Sequence, residues 1–437
     1  MTSHPDELHL SELHASLADP AMEAMNFLNQ VAERFPEALS LAAGRPTEEF
    51  FDLADLPRHL ETFCRYLREE KGATESEVRR TVFQYGRTKG VIHELIAANL
   101  RLDEGIDVDP EAVVVTVGCQ EAMFLTLRAL RRDERDVLLA VSPTYVGIAG
   151  AAQLVDMKLL PVSEGTDGVL LDDLVAQVRA ARAAGLRPRA LYLVPDFANP
   201  SGLTMPLQAR HDLLATAREL GLLLLEDNPY GLFRADGGER LPTLKALDAT
   251  GQVVYLGSLA KTGFPGARVG YAVADQTVRS SGTGRSLLAD ELAKIKSMLT
   301  VNTSPMAQAL VGGKLLESDC SLLKANAGTV AGYSRNLDRL LTGLQERFGE
   351  RPGVSWTRPS GGFFVVVTVP FRADNAALEY SAREHRLLWT PMSHFYQGSG
   401  GENQLRLCVS AVDTEQIDAG LDRLRSLIDD LADKPPL

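Results

Sequence analysis

Through the middle of the chain, short β-branched or leucine-rich runs alternate with stretches whose apolar residues recur every three or four positions. The runs Val113–Val117, Val137–Ala140, Lys158–Val162, Ala190–Val194, Leu222–Glu226, Val253–Gly257 and Val269–Ala274 read as strands. Between several of them, Gln120–Leu130, Leu171–Ala184 and Leu207–Leu220 carry the helical period. Such alternation predicts an α/β domain with a large central, mostly parallel sheet of seven strands, covered on both faces. Too few residues separate the last two runs for a helical crossover, so Val269–Ala274 is expected to be antiparallel or to sit at an irregular corner.

From about residue 280 the pattern changes. Helices are expected over Arg285–Ser297, Pro305–Leu316 and Leu322 to about Arg347, then strands at Val354–Thr357, Gly362–Val369, Leu388–Thr390 and Leu405–Cys408, closed by a helix over Thr414–Asp433. Near the start, a helical segment (Asp19–Phe35) leads into Leu39–Gly44. That piece is too short to fold alone and is expected to pack on the C-terminal part. The chain then divides into an N-terminal segment (1–60), a large α/β domain (61–320) and a smaller α+β domain (321–437) completed by both chain ends.

Composition narrows the function classes. Among 437 residues, Lys plus Arg number 45 and Asp plus Glu 58, a net charge of −13 that disfavours nucleic acid as a partner. Cys64, Cys119, Cys320 and Cys408 form no paired spacing, so neither a metal site nor a disulfide framework is indicated, and a reducing, cytoplasmic setting is expected. The first residues are acidic and lack an apolar core, and no later stretch is long enough to cross a membrane, which disfavours secretion and membrane spanning.

The strongest chemical signal is Ser258-Leu-Ala-Lys261-Thr-Gly-Phe-Pro265-Gly266-Ala-Arg268, directly after a predicted strand. A lone lysine in a Gly/Pro turn is usually a surface charge. Here a hydroxyl stands three residues before it and an arginine seven after, which puts an amine beside an anion pocket. Asp196-Phe-Ala-Asn199-Pro200-Ser201-Gly202 and Glu226-Asp227-Asn228-Pro229-Tyr230 follow neighbouring strands, at the C-terminal strand ends where α/β sheets bind ligands.

In this order the segments resemble the fold type I pyridoxal-phosphate enzymes, in particular the class I/II aminotransferases, collinearly from about Gly44 to Arg406. The resemblance implies that Lys261 bonds the cofactor aldehyde and then moves the substrate proton. It implies that Asp227 pairs with the pyridine nitrogen, which keeps the ring a strong electron sink. Asn199 and Tyr230 match the pair that bonds the phenolic oxygen, and Tyr145 the aromatic stacked on the ring. Gly118, Cys119 and Gln120, at a strand-to-helix junction, would cup the phosphate together with Ser258 and Arg268. Cys119 stands where many relatives have Ser or Ala, so its thiol reads as a bystander. Ala260 replaces a common serine, which removes one hydroxyl near the lysine. Tyr85 matches the tyrosine that reaches the phosphate of a neighbouring subunit, which implies a homodimer with shared sites. Arg406, a charge within the apolar Leu405–Ser410, matches the clamp for the substrate α-carboxylate.

Each residue also has a structural alternative: a turn or cap for Asp227 and Asn199, a packed aromatic for the tyrosines, an internal salt bridge for Arg406.

The implied reaction is ping-pong transfer of an amino group between an α-amino acid and a 2-oxo acid. Elimination, replacement or oxidation on the same scaffold remains open. A cofactor-sensing regulator is disfavoured, because little basic chain precedes Gly44. Within the family the chain resembles the 2-aminoadipate and kynurenine branch. Asn26-Phe-Leu-Asn29, Leu41–Pro46, Gly118–Ala122 and Trp389–Tyr396 are similar to arylglycine transaminases of actinobacterial peptide-antibiotic pathways, typified by 3,5-dihydroxyphenylglycine transaminase. Arg45 could then reach a substrate side chain or be a solvent-facing loop charge. His394, Phe395 and Tyr396 could line an aromatic pocket.

Overall fold

The computed structural model describes residues 8–19, 27, 30–235, 237–280 and 283–432. After a two-residue strand, β1 (Leu39–Ser40), the central sheet is built from β2 (Val113–Val117), β3 (Asp136–Ser142), β4 (Lys158–Gly165), β5 (Gly168–Val169), β6 (Arg187–Leu193), β7 (Leu223–Asp227), β8 (Val253–Ser258) and β9 (Val269–Val273). Their spatial order is β2-β9-β8-β7-β6-β3-β4-β5. From β4 through β3, β6 and β7 to β8 the pairing is parallel, with helices as crossovers. β9 is antiparallel to both neighbours, as its short link from β8 requires.

The sheet has eight strands where seven were expected. The additional one, β5, is a two-residue antiparallel return of β4 pairing Glu164 with Val169 and Gly165 with Gly168. It has no apolar run to announce it. In the middle of the sheet Leu138, Leu191, Leu224 and Val254 are fully buried, as a sheet covered on both faces demands.

Two expected helices are redrawn. Arg285–Leu287 is a strand (β11) paired with β10 (Thr277–Arg279), and the helix runs Leu288–Leu299. The long helix expected from Leu322 breaks at Asn326 into Leu322–Ala325 and Ala327–Phe348. The buried Asn326 amide donates to the Leu322 carbonyl at 2.8 Å and the Thr262 carbonyl at 3.0 Å. The break thus ties this segment to the loop that carries Lys261.

A second sheet, in the order β12 (Ser355–Trp356), β13 (Phe364–Thr368), β16 (Gln404–Cys408), β15 (Thr390–Pro391), is antiparallel throughout. The strand expected at Leu388–Thr390 is two strands. β14 (Leu387–Leu388) pairs in parallel with β1, and β15 pairs with β16. Trp389 between them is fully buried, its indole N–H donating to Ser381 Oγ at 3.1 Å. Val31 and Leu41 join Leu405, Leu407 and Leu421 in one core, which carries the N-terminal segment onto this sheet and its closing helix, Thr414–Leu431. Most of the segment 19–29, including Asn26 and Asn29, lies outside the described residues, and residues 30–34 are helical. Among the described residues, no helix is long and apolar enough to cross a membrane.

Candidate active site

β7 ends at Asp227 and β8 at Ser258, β6 runs into the loop carrying Asn199, and β2 runs into Gly118. These strand ends face one cavity of about 430 Å³. Lys261, Asp227, Tyr230, Tyr145 and Asn199 line it, with Cys119, Gln120, Ser258 and Arg268 on the same wall system and Arg406 contributed by the second sheet. The sequence separated these residues by up to nearly three hundred positions, and the parallel topology brings them together.

One end of the cavity suits an anion. The helix Gly118–Leu130 starts without a side-chain cap, so its first backbone N–H groups are free for an acceptor. Gly118 has φ +71°, and a Cβ there would lie 2.5 Å from Arg268 Nη2. A Cβ on Gly270 would lie 2.4 Å from the Cys119 backbone nitrogen. Glycine at both positions therefore lets the guanidinium and the helix start share one cradle. Glu121 holds the entry to the helix: it accepts from Val117 N at 2.6 Å, from buried Lys296 at 2.7 Å and from Thr300 Oγ1 at 2.6 Å.

Asp227 is buried, accepts from Tyr192 OH at 2.7 Å and has the Cys119 thiol at 3.6 Å. Burial pushes its carboxyl up to about 6, opposed by the Tyr192 and Cys119 hydrogen bonds and by the charge of Lys261. Burial, with Asp227 adjacent, also raises the Cys119 thiol well above its ordinary range, which leaves it protonated and unreactive. Tyr145 is pushed up to about 12 and Tyr230 higher still, both by burial, so each is a neutral phenol. Lys261 is lowered to about 8, chiefly by burial, with Arg406 and Arg268 adding to the effect. Its Nζ donates to the Gly44 carbonyl at 2.6 Å.

Arg406 is buried without a carboxylate partner among the described residues. Its Nη1 donates to Asn199 Oδ1, its Nη2 is 3.4 Å from both the Ala42 carbonyl and Thr390 Oγ1, and its Nε is buried with no acceptor. The salt-bridge alternative is therefore not what this strand provides. A cavity that holds an amine, a carboxylate, an anion cradle and a buried guanidinium with an unused N–H has the donor set for a phosphorylated pyridine and an amino acid.

Other expected residues lie at the rim of the cavity or beyond it. Arg45 lines the cavity at its rim, 67% exposed, with its guanidinium 3.1 Å from Glu48. Tyr85 is 82% exposed and outside the cavity of its own chain. Phe395 lines the cavity, whereas His394, bonded to Asn375 Oδ1 at 2.6 Å, and Tyr396 do not. Sequence reasoning missed Tyr192 and Phe364. A phenol in the otherwise apolar run Ala190–Val194 was the available signal for the first, since a buried Tyr hydroxyl needs a partner.

The class I and II aminotransferase family matches residues 37–424. The (S)-3,5-dihydroxyphenylglycine transaminase of Amycolatopsis orientalis is 55% identical over 422 residues, covering 97% of this chain and 95% of that protein. The 2-aminoadipate transaminase of Thermus thermophilus is 33% identical, covering 89% of each. Among solved structures, the α-aminoadipate aminotransferase of Thermus thermophilus, complexed with N-(5'-phosphopyridoxyl)-L-leucine, superposes with a TM-score of 0.75 at 30% identity, covering 96% of this chain and 99% of that one. An amine, a carboxylate and two guanidinium groups gathered on one cavity at the strand ends of a mostly parallel sheet, and relatives that match along nearly the whole chain, lead to one assignment: the protein belongs to the class I and II aminotransferases, enzymes that depend on pyridoxal phosphate.

Proposed function

We propose that this aminotransferase takes an arylglycine-type or other aromatic α-amino acid as donor and a 2-oxo acid as acceptor, in ping-pong fashion. The observation that carries the reading is Arg406, a buried cation with no counter-ion among the described residues, on the cavity that holds Lys261. A substrate α-carboxylate supplies the missing charge and can take a bidentate grip. Apolar walls from Met123, Val146, Leu388 and Trp389 suit an aryl group next to the α-carbon, and the identity to a dihydroxyphenylglycine transaminase supports the same substrate class.

In this reading Gly118, Cys119, Gln120, Ser258 and Arg268 would hold the cofactor phosphate, Tyr145 would cover the ring, and Asn199 and Tyr230 would bond its phenolic oxygen. Asp227 would accept a hydrogen bond from the protonated pyridine nitrogen and steady its charge. Pyridoxal phosphate, when bound, supplies an aldehyde that takes up the amino group and a ring that spreads the charge left when Cα loses its proton. Lys261 would hold the cofactor through its aldehyde carbon, and its amine, when free, would serve as the base at the substrate Cα. Burial and the neighbouring guanidinium groups keep its amine available in neutral form near neutral pH. Arg406 and Asn199 fix the carboxylate so that the Cα–H faces Lys261. Tyr85 reaches the phosphate of a partner subunit in a homodimer. Arg45 adds at most a contact at the rim. We place the enzyme in the cytoplasm and in antibiotic-type secondary metabolism, and divide the chain at about residues 60 and 320.

The holoenzyme tests this directly. Adding phenylglycine or 3,5-dihydroxyphenylglycine should bleach the visible band of the bound cofactor, and a 2-oxo acid should restore it. Bleaching by acidic donors but not by arylglycines would overturn the substrate assignment.

A further inference from the structure

Arg406 poses an energetic problem that its hydrogen bonds do not solve. An unpaired guanidinium removed from water is costly, and here one N–H is orphaned while two contacts stretch to 3.4 Å. Two aromatic rings answer it. The guanidinium carbon lies 4.2 Å from the ring centroid of Phe364 on β13 and 4.8 Å from that of Phe395. Both rings are buried, and both line the cavity. Phe364 is braced edge-on by Tyr230 at 5.4 Å, and the Phe395 carbonyl accepts from Thr144 N at 2.8 Å, beside Tyr145.

Ring faces stabilise a cation through their quadrupole without consuming its N–H donors. A carboxylate neighbour would hold the charge equally well but would occupy the edge that a substrate needs. We propose that Phe395, together with Phe364, is a positioning residue for the α-carboxylate: the two ring faces hold the Arg406 guanidinium charged, dry and in place while its hydrogen-bonding edge stays open. This rests on the reading of Arg406 as the carboxylate clamp. It separates two jobs that Phe395 could do, since a ring on this cavity could instead be a wall that reads the aryl group of the donor.

The test uses holoenzyme with Phe395→Leu, which keeps apolar volume and removes the π face, and Phe395→Tyr, which retains it. Dissociation constants for phenylglycine and benzylamine, which differ only by the α-carboxylate, are taken from the absorbance change of the bound cofactor. Phe395→Leu should weaken phenylglycine about tenfold and leave benzylamine within about twofold, with Phe395→Tyr near the parent. The KM for the 2-oxo acid should rise in parallel, by a larger factor than kcat falls. Equal weakening of both ligands would make Phe395 an aryl-reading wall, and no weakening of phenylglycine would remove it from carboxylate binding. Either result overturns the proposal. Arg406→Gln is the arm for the underlying reading: if it leaves phenylglycine binding intact, the clamp assignment itself fails, whatever Phe395 does.

Discussion

The amine nitrogen of Lys261 lies 2.6 Å from the carbonyl oxygen of Gly44 and donates to it, so this side chain rests on the strand-to-turn segment that follows Leu41. The same amine is lowered to about 8 by burial and by two nearby guanidinium groups. Its nucleophilic, neutral fraction therefore grows as pH rises toward 8 and is nearly complete above it. Capture of pyridoxal phosphate by the apoenzyme, followed by absorbance in a stopped-flow instrument, should accelerate about tenfold per pH unit below that value and level off above it. A rate still climbing toward pH 10 would mean an ordinary lysine.

Asp227 trades stability for function. Its carboxyl rises from 3.8 to about 6 on burial. Between those values the folded apoenzyme keeps a proton that the unfolded chain has released, so stability falls as pH rises through the window and stays lowered above it. Asp227→Asn should therefore stabilise the apoenzyme by about 2–3 kcal/mol near pH 7.5 and by little near pH 4, while it disables the loaded enzyme. Thermal unfolding of both apoproteins at the two pH values checks this. A gain that is the same at both would contradict it.

Tyr192 and Asp227 act as a donor and acceptor pair within the sheet. Tyr192→Phe preserves the ring and deletes the donor, which should push the Asp227 carboxyl higher. Equilibrium dialysis should then show cofactor affinity at neutral pH weakened about tenfold, the scale of a hydrogen bond to a charged group. Unchanged affinity would reduce Tyr192 to packing.

Lys296 is fully buried 2.7 Å from Glu121, the carboxylate that also holds Val117 N. Lys296→Met leaves that carboxylate uncompensated and should cost about 3–5 kcal/mol, with weaker cofactor retention. The double variant Glu121→Gln, Lys296→Met should recover more than half of the loss, because it removes the stranded charge as well. Unfolding midpoints of the single and double variants decide the point.

Much of this site is legible in the sequence, for a physical reason. Lys261, Asp227 and Asn199 sit in turn sequences at strand ends, where Gly and Pro mark the chain as sharply as the chemistry does. Arg406 stood out as a charge in an apolar strand. Phe364 and Tyr192 did not, because aromatic residues in apolar runs look like core, and only the fold reveals that one faces a guanidinium and the other a carboxylate. β5 and the break at Asn326 escaped for a related reason. A two-residue return has no period, and the amide at Asn326 matters through its bonds to distant carbonyls. Arg45 reads in the sequence either as a substrate contact or as a loop charge, and the structure puts it on the cavity rim with Glu48 in reach of its guanidinium.

The most direct measurement follows the nitrogen. Holoenzyme is given an arylglycine labelled with ¹⁵N and an unlabelled 2-oxo acid, and the products are resolved by mass spectrometry. The account predicts that the label appears in the amino acid formed from the 2-oxo acid, with one aryl 2-oxo acid released per transfer. Label recovered as free ammonia, or no turnover of arylglycine alongside turnover of acidic donors, would contradict it.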